Sequence, residues 1–386
     1  MANAIQEQTS SSVVKADGLS FNVEHDAIMS ALTTCAKVAP KSSAIPIMKC
    51  IKFDLNSDTL FVTATDTTQS VLLQLKVENT GNQNGSYLFP SREGIELVKR
   101  LPSGTLSFSV KEASVHISYG KGSASLRVLD PDEFPQLPAL QGAKFLHIPI
   151  DALRKGAAAQ RFASTDENTP ILCGVKIYEA EGKLGFVATN RHRIYRYISD
   201  VTIPDPANFR GGAIDAIHFK SIVDSFKDAD RIAMALSDAW LILRDRNIVY
   251  FGRLLEGNYP NVTDVMKLPQ QPIVAKIPRG PLDETLNRML SLESENHRVF
   301  FLRSDDGELV VKSESQTGEI VETIEGSVVD DGLTMVKFNG RYLRDALAVG
   351  DRDVKDVVLH MTGPSSPAYM LYDGDPSMTN VVLPVR

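Results

Sequence analysis

The residues best suited to chemistry lie together in the sequence NRHRIYR at 190–196, which holds three arginines and one histidine. Guanidinium groups donate several hydrogen bonds in a fixed geometry, so such a cluster can bind carboxylate, phosphate or carbonyl oxygens. The cluster follows an alternating apolar segment, so we expect a turn at the end of a strand. For an isolated match, a basic turn that faces water is the simpler interpretation.

A thiol nucleophile is the enzymatic alternative. Cys173 stands beside Gly174 in an apolar segment, and His192 is a possible distant base for it. No nucleophile motif surrounds Cys173, which favours a buried structural thiol in a strand. The seven histidines have no zinc-type spacing, and no glycine-rich phosphate loop follows a strand. The sequence therefore predicts no catalytic residue, no metal site and no cofactor.

Composition describes an ordinary soluble protein. Of the 386 residues 43% are hydrophobic and 23% are charged, and no apolar run approaches the roughly 18 residues of a membrane span. This length fits two or three domains. The formal net charge of −7 argues against a protein that coats itself in nucleic acid, so any contact with DNA must be local.

Cysteine usage and the start of the chain indicate a cytoplasmic protein. The three cysteines, Cys35, Cys50 and Cys173, form no CxxC pair and cannot all pair within the chain, so we expect free, mostly buried thiols. Residues 1–18 are polar and lack the apolar centre of a secretory signal, which predicts a disordered polar tail.

An internal repeat organises the remaining sequence. Two alternating apolar strands joined by a polar turn occur three times, at 51–66, 175–190 and 299–315. Leu60, Leu184 and Leu309 head the second strand of each pair and are 124 and 125 residues apart. This spacing is far longer than a solenoid repeat and indicates duplicated domains.

Helical spacing of apolar residues precedes and follows each strand pair. The predicted fold class is α+β, with three repeated domains that each pack two helices on antiparallel sheets. Proline-rich joints at 131–138 and 260–272 place the limits near 143 and 275. The expected division is a tail at 1–18 and domains at 19–143, 144–275 and 276–386.

The same positions carry a family resemblance. FVATNRHRI at 186–194 resembles the ATDGHRL signature of the bacterial sliding clamp, the DNA polymerase III beta subunit, and TPILCGVKI at 169–177 resembles the strand before it. DEFPQLP at 132–138 is similar to the end of the first clamp domain, and VVLPVR at 381–386 resembles the last strand. Four motifs in one register are far more specific than any one alone.

The resemblance implies a hydrophobic groove between the second and third domains, where partner proteins dock a short linear peptide. Several apolar side chains would form its floor, and Arg193 and Arg386 would donate hydrogen bonds to the peptide. The implied peptide-binding residues are Leu172, Thr189, His192, Arg193, Ile194, Pro260, Val265, Ser366, Val381, Val382, Leu383, Pro384, Val385 and Arg386.

The sequence departs from the family pattern at two places in this turn. Asn190 stands where the family usually has aspartate, and Arg191 stands where a small residue, often glycine, is typical. If position 191 needs a positive φ, an arginine there is strained. Its long side chain would also narrow the groove and change the preferred peptide.

A sliding tether needs a weak, sequence-independent hold on phosphates. Basic side chains outnumber acidic ones in the predicted helical windows at 24–41, 91–100, 151–161, 217–227, 283–288 and 340–347, whereas acidic ones dominate elsewhere. Helices that line the hole of a ring would show this asymmetry. The candidates for phosphate contacts are Lys41, Arg92, Lys220 and Arg344, and solvated helix faces are the alternative.

The resemblance further implies a head-to-tail homodimer that forms a ring around double-stranded DNA. Such a ring would tether the replicative DNA polymerase, would be opened by a clamp-loader ATPase, and would also bind other proteins that carry a clamp-binding motif. Two alternatives remain at this point: an interaction scaffold that keeps the groove without encircling DNA, and a cysteine-dependent enzyme.

Overall fold

The protein is described here by a computed structural model that covers residues 17–140, 142–292, 297–351 and 353–385. The predicted tail therefore lies, up to residue 16, outside the described residues. Within these ranges the α-helices are α1 His25–Cys35, α2 Ser91–Val98, α3 Ile150–Ala158, α4 Ala216–Val223, α5 Arg279–Met289 and α6 Gly340–Val349.

The strands fall into three sets along the chain. The first set is β1 Ser20–Glu24, β2 Cys50–Asn56, β3 Thr59–Thr65, β4 Gln69–Lys76, β5 Glu78–Asn79, β6 Gly85–Pro90, β7 Thr105–Lys111, β8 Ser114–Tyr119 and β9 Gly122–Arg127. The second set is β10 Leu146–Pro149, β11 Gly174–Ala180, β12 Lys183–Thr189, β13 Arg193–Thr202, β14 Gly212–Asp215, β15 Arg231–Leu236, β16 Trp240–Arg244 and β17 Ile248–Leu255. The third set is β18 Ile273–Pro278, β19 Arg298–Arg303, β20 Leu309–Ser315, β21 Gly318–Ile324, β22 Val328–Val329, β23 Val336–Asn339, β24 Asp356–Met361, β25 Ala368–Tyr372 and β26 Asp375–Val382.

Each set repeats one order of elements: a strand and a helix, then four strands, a second helix and three final strands. The short strands β5 and β22 are the only additions within the described ranges. The three predicted strand pairs are confirmed as β2 with β3, β11 with β12 and β19 with β20. The predicted α+β fold class of three repeats with two helices each is therefore confirmed.

The first helix is shorter than its predicted window. It ends at Cys35, and the chain leaves it through tight turns in which the Ala39 amide donates to the Cys35 carbonyl at 2.8 Å. Pro40 disfavours helical backbone in the residue before it, so the helix cannot continue. Lys41, which was expected on this helix, lies instead in the loop that follows it.

The chain packs as two compact units, one of residues up to 150 with 217–254 and the other of 151–216 with 255 onward. These units do not coincide with the three predicted domains, whose limits at 143 and 275 stay a prediction. No helix in the described ranges has the length and apolar character needed to cross a membrane.

The first unit contains two antiparallel sheets. One has the order β5-β1-β7-β8-β9, and the other runs β6-β2-β3-β4-β17-β16-β15-β10. Alternating apolar side chains of the two sheets supply buried aromatic rings, with Phe21 stacked on Phe108 at 5.0 Å and Phe53 on Phe89 at 4.9 Å between ring centroids. Burial of each such side chain stabilises the fold by roughly 1.5–3 kcal/mol.

The second unit has the same plan. One antiparallel sheet runs β14-β11-β12-β13-β26-β25-β24-β18, and the other runs β21-β20-β19-β23. Leu153 and Ala157 of α3 are buried. Gly156 of the same helix lies directly against the Phe186 ring, where a Cβ atom would come within 2.6 Å, so only glycine lets the helix approach the sheet this closely.

A buried tyrosine in the first unit provides a test of the core. Tyr87 is 2% exposed, its ring lies 5.3 Å from that of Phe53, and its hydroxyl has no hydrogen-bond partner among the described residues. Because an unsatisfied buried hydroxyl costs free energy, we expect Tyr87→Phe to raise the free energy of unfolding by about 1 kcal/mol. Thermal and urea unfolding would measure the change.

Tyr250→Phe is the matched control. Its hydroxyl is also buried but donates to the Gln69 side-chain oxygen at 3.1 Å, so its removal should lower stability. A loss of stability in Tyr87→Phe equal to that in the control would contradict the prediction.

Candidate functional site

The basic cluster forms a tight turn between β12 and β13. The Thr189 hydroxyl accepts a hydrogen bond from the Arg191 amide at 3.1 Å and donates to the Arg193 carbonyl at 2.8 Å. The Asn190 side-chain oxygen accepts from the His192 amide at 3.1 Å and the Arg193 amide at 3.2 Å. Arg191 has a φ of +74°, so this position does take the left-handed backbone in which an arginine is strained.

The first repeat folds the corresponding turn in the same way. Thr65 accepts from the Thr67 amide at 3.1 Å and donates to the Gln69 carbonyl at 3.0 Å. Asp66 accepts from the Thr68 amide at 2.9 Å and the Gln69 amide at 2.8 Å, and Thr67 has a φ of +77°. The backbone of the turn is therefore common to both repeats, and only the side chains differ.

Arg193 is committed to contacts inside the protein. Its side chain is buried, its Nη1 lies 2.5 Å from a carboxylate oxygen of Asp345 on α6, and its Nη2 donates to the Arg161 carbonyl. The guanidinium also lies 4.3 Å from the ring centroid of Tyr342 and 5.2 Å from that of Phe162. Two of its nitrogens are therefore engaged within the protein, and its donation to a bound peptide stays a prediction.

An apolar cluster lies beside the turn. Ile194 and Val381 are directly opposite each other across the β13–β26 ladder, and both belong to a cluster with Val187, Met266 and Tyr369. The structure thus brings the predicted Ile194 and Val381 together. Hydrophobic side chains at the edge of such a cluster can hold an apolar anchor of a peptide.

The first repeat lacks this apolar character. By the alignment of the two turns, Thr63 and Ser70 occupy the positions of Val187 and Ile194. An equivalent apolar surface is therefore absent at those two positions of β3 and β4. The first repeat therefore lacks both these apolar residues and the basic side chains of the turn beside them.

The segment after β17 covers part of this cluster. Tyr259 and Val262 pack against it as partly buried residues, and Met266 is buried within it. The Tyr259 hydroxyl accepts from the Thr189 amide at 3.1 Å, and burial raises the pKa of that hydroxyl, so it stays protonated. These three residues were missed from the sequence, although their spacing of three and four residues is the signal that could have revealed them.

The remaining predicted residues differ in exposure. Pro260 and Val265 are exposed on the covering segment, and Ser366 is half-buried before β25. His192 is exposed, with its ring 6.4 Å from that of Tyr342 and its carbonyl bonded to the Leu383 amide at 2.9 Å.

The end of the chain continues the β26 ladder. Val382 is buried, Leu383, Pro384 and Val385 are half-buried, and the Val385 amide donates to the Lys337 carbonyl at 2.8 Å. The predicted Arg386 lies outside the described residues.

Leu172 is buried in a short 3-10 helix, Pro170–Cys173, and the strand begins only at Gly174. The expectation of a strand at Cys173 is therefore wrong, because Pro170 starts a helical turn and its ring cannot donate to a sheet ladder. Cys173 is half-buried, whereas Cys35 and Cys50 are buried as expected.

The thiol of Cys173 is poorly suited to nucleophilic chemistry. Burial raises its pKa, and the carboxylates of Asp215, Asp166 and Glu167 raise it further. The reactive thiolate is therefore disfavoured. This environment gives no support to an enzyme based on Cys173 and His192.

A basic cleft of about 1180 Å³ lies between α5 and α6 in the second unit. Five cationic side chains line it, those of Arg161, Arg279, Arg341, Arg344 and Lys355, together with only two carboxylates. Such an excess of positive charge on helices can hold phosphate oxygens without reading bases.

The four candidates for phosphate contacts have different surroundings. Arg92 is exposed in the first turn of α2, and Lys41 is exposed in its loop. Lys220 of α4 is paired with Asp224 at 2.6 Å, and the Arg344 Nε lies 3.4 Å from Asp283. Arg344 alone of the four lines the basic cleft, and its companion cations there were not among the predicted residues.

Comparison with known families accounts for nearly the whole chain. Models of the DNA polymerase III beta subunit match in order: the N-terminal domain at 19–138, the central domain at 147–261 and the C-terminal domain at 268–386. The chain belongs to the DNA polymerase III beta subunit family. The resemblance found in the sequence is thereby confirmed, as is the predicted function of a DNA sliding clamp.

Individual relatives agree with this membership. The beta sliding clamp of Staphylococcus aureus (strain Mu50 / ATCC 700699) is 26% identical over 381 residues, which cover 95% of this chain and 99% of that protein. The DNA polymerase sliding clamp of Bacillus subtilis has the same fold, with a TM-score of 0.86 at 24% identity over 96% of this chain and all of that one. The DNA polymerase beta subunit of Streptococcus pyogenes gives 0.87 at 22% identity, covering 95% of this chain and 100% of that one.

The pair formed by Arg193 and Asp345 makes a quantitative test of the site. In Asp345→Ala the nearly buried guanidinium would lose its carboxylate, so we expect the free energy of unfolding to fall by about 2 kcal/mol, below the range for fully buried pairs because Asp345 is partly exposed. Urea unfolding would measure the loss.

Asp283→Ala is the control on the same cleft. Asp283 is half-exposed and pairs with the equally accessible Arg344, so its removal should change stability by less than about 0.5 kcal/mol. Equal losses in the two variants would show that the buried pair has no special role.

Proposed function

We propose that two copies of this chain close head to tail into a ring around duplex DNA. One observation carries the proposal. In the first two repeats, the third of the four strands between the two helices pairs with the last strand of the following repeat. Thus β4 pairs with β17, and β13 pairs with β26. By this rule β21 would pair with the last strand of a first repeat, which is β9.

Both of these strands are sheet edges within the described part of the chain. β9 pairs only with β8 and β21 only with β20. Long open edges invite pairing with another chain, so a second copy that supplies the missing partner satisfies both. The exposed Arg127 of β9 and Glu319 of β21 give the two edges opposite charge.

A ring of this type holds DNA by topology and needs only weak contacts inside it. The basic cleft with Arg344, and the positions of Lys41, Arg92 and Lys220, supply cations for phosphate oxygens in a chain whose net charge is −7. The carboxylates beside Lys220 and Arg344 keep these contacts weak, since each cation must exchange one partner for another. Sliding without sequence preference follows.

The expected pairing of β21 with β9 of a second copy predicts which substitution opens the ring. Val321 of β21 is 54% exposed, and a buried, unpaired carboxylate there would weaken strand pairing, so Val321→Asp should raise the dimer dissociation constant by at least roughly tenfold. Sedimentation at micromolar concentration would measure this. Val328→Asp is the control, because Val328 is 64% exposed but lies on β22, away from that edge.

Retention on DNA tests the topology directly. We expect the protein, once placed on nicked circular DNA by a clamp-loader ATPase, to stay bound during gel filtration and to be released when the DNA is linearised. Val321→Asp should be lost from both forms. A stable monomer that never stays on circular DNA would instead identify an interaction scaffold.

The apolar cluster beside the 189–193 turn is the proposed docking site for partner peptides. Ile194 and the half-buried Leu383 lie beside the buried Val381 as an apolar floor, and the other predicted residues would form the rim. Replicative polymerase, clamp loader and other proteins with a clamp-binding motif would exchange there, because a few apolar anchors give modest affinity.

Removing the end of the chain tests this groove. Deletion of residues 383–386 should abolish binding of a polymerase-derived peptide in fluorescence anisotropy, and Leu383→Asp should do the same without shortening the chain. Leu129→Asp, at a leucine that is 43% exposed in the first unit, should leave binding unchanged. Unchanged affinity in both groove variants would reject the site.

The proposal includes no catalysis and no cofactor. The raised pKa of Cys173 argues against that thiol as a nucleophile, and unpaired cysteines suit a reducing cytoplasm. The division into domains at 19–143, 144–275 and 276–386 belongs to the same proposal. It is supported by the threefold order of elements.

A further inference from the structure

Arg191 occupies a backbone position that does not suit an arginine. Its φ of +74° lies in the left-handed region, which costs an L-residue roughly 1–2 kcal/mol relative to glycine. The first repeat has Thr67 at the same point of the same turn, so the conformation belongs to the turn and is not caused by the arginine. The turn therefore fixes the backbone position and the direction in which the side chain at 191 leaves it.

The guanidinium of Arg191 bridges two segments of the proposed groove. Its Nη2 lies 3.3 Å from the Thr169 hydroxyl, and Thr169 immediately precedes the 3-10 helix that carries Leu172. The same turn leads directly into Ile194. The charge thus lies between the segments that carry Leu172 and Ile194, two residues of the proposed groove.

This guanidinium differs from that of Arg193 in its partners. Arg193 is buried and bound to Asp345, whereas Arg191 is exposed and, within the described ranges, has no carboxylate within ion-pair distance. Asp166, three residues before Thr169, has partners in its own loop, since its carboxylate accepts from the amide and side chain of Asn168 at 3.0 and 2.8 Å. Several donors of Arg191 are therefore available to a ligand.

We propose that Arg191 makes the groove select peptides that carry an acidic side chain beside the apolar anchor. This inference rests on the proposed peptide groove and names the class of peptide it prefers. A carboxylate can take two parallel hydrogen bonds from one guanidinium, whose planar group presents its donors in a fixed geometry. The preference is electrostatic and decreases as salt rises.

Two synthetic peptides test the inference. They carry the same leucine and phenylalanine anchors and a fluorescein label, and differ only in aspartate or asparagine next to the anchor. We expect the wild-type protein to bind the aspartate peptide about three- to fivefold more tightly at low salt, as exposed charge pairs do. The ratio should approach one at high salt.

Variants of Arg191 separate charge from shape. Arg191→Gln keeps much of the length without the charge and should bind both peptides equally, whereas Arg191→Lys should keep part of the preference. Arg246→Gln, which removes the same charge from an exposed turn of the first unit, should leave the wild-type preference intact. The fold of each variant is checked by its melting temperature.

The outcomes distinguish this inference from the groove itself. If the wild type binds neither peptide, the groove fails. If it binds both equally and Leu383→Asp abolishes both, the groove stands and the role of Arg191 is overturned. If Arg191→Gly strengthens both peptides by the same factor, Arg191 only narrows the groove, and the selection of acidic peptides is again overturned.

Discussion

Backbone pairing between repeats is the constraint on which the rest of the structure depends. In each unit, one eight-stranded antiparallel sheet contains four strands from each of two successive repeats. The two halves are joined at a single strand pair, β4 with β17 or β13 with β26. Unpaired amides and carbonyls are costly when buried, so these pairs fix the register of everything attached to them. The same rule leaves β9 and β21 open within the described chain, which is the basis for the proposed assembly of two copies.

The junction at β13 and β26 also explains the buried arginine. Arg193 is the first residue of β13 and lies opposite Val382, so its side chain enters the space between the ladder and α6. A charge there is tolerated only because Asp345, a backbone carbonyl and two aromatic rings surround it. In the first repeat the neutral Gln69 holds the equivalent position, and its amide donates to Asp66 at 3.0 Å.

Much of the fold could be predicted because its signals are local. Alternation of apolar residues around Leu60, Leu184 and Leu309 identified the three hairpins, since a strand with one buried face requires that period. The end of α1 was less predictable, because apolar residues continue beyond Cys35 while Pro40 stops the helix. Cys173 was misplaced because its apolar neighbours suit a strand as well as a 3-10 turn.

The candidate site was predictable only in part. The turn at 189–193 and the Ile194 neighbourhood were located from the motif, but the partner of Arg193 is 152 residues away, and no local pattern indicates it. Tyr259, Val262 and Met266 lie in a segment without regular structure, where proline and polar residues hide their helical spacing. Contacts of long sequence separation are set by the sheet register, which composition does not reveal.

The two departures from the family pattern have unequal consequences. Asn190 keeps the one oxygen that the backbone of the turn requires, since it accepts from the amides of His192 and Arg193 as Asp66 does from Thr68 and Gln69. The second oxygen of Asp66 accepts a hydrogen bond from the Gln69 side chain. In the second repeat Arg193 stands in place of Gln69 and binds Asp345, so the residue at 190 needs no second oxygen. Asparagine is thus sufficient at 190 and also removes a negative charge beside Arg191. Arg191 is the departure that adds a positive charge able to bind a ligand. The neutral Asn190 before it leaves that charge without a neighbouring carboxylate at 190.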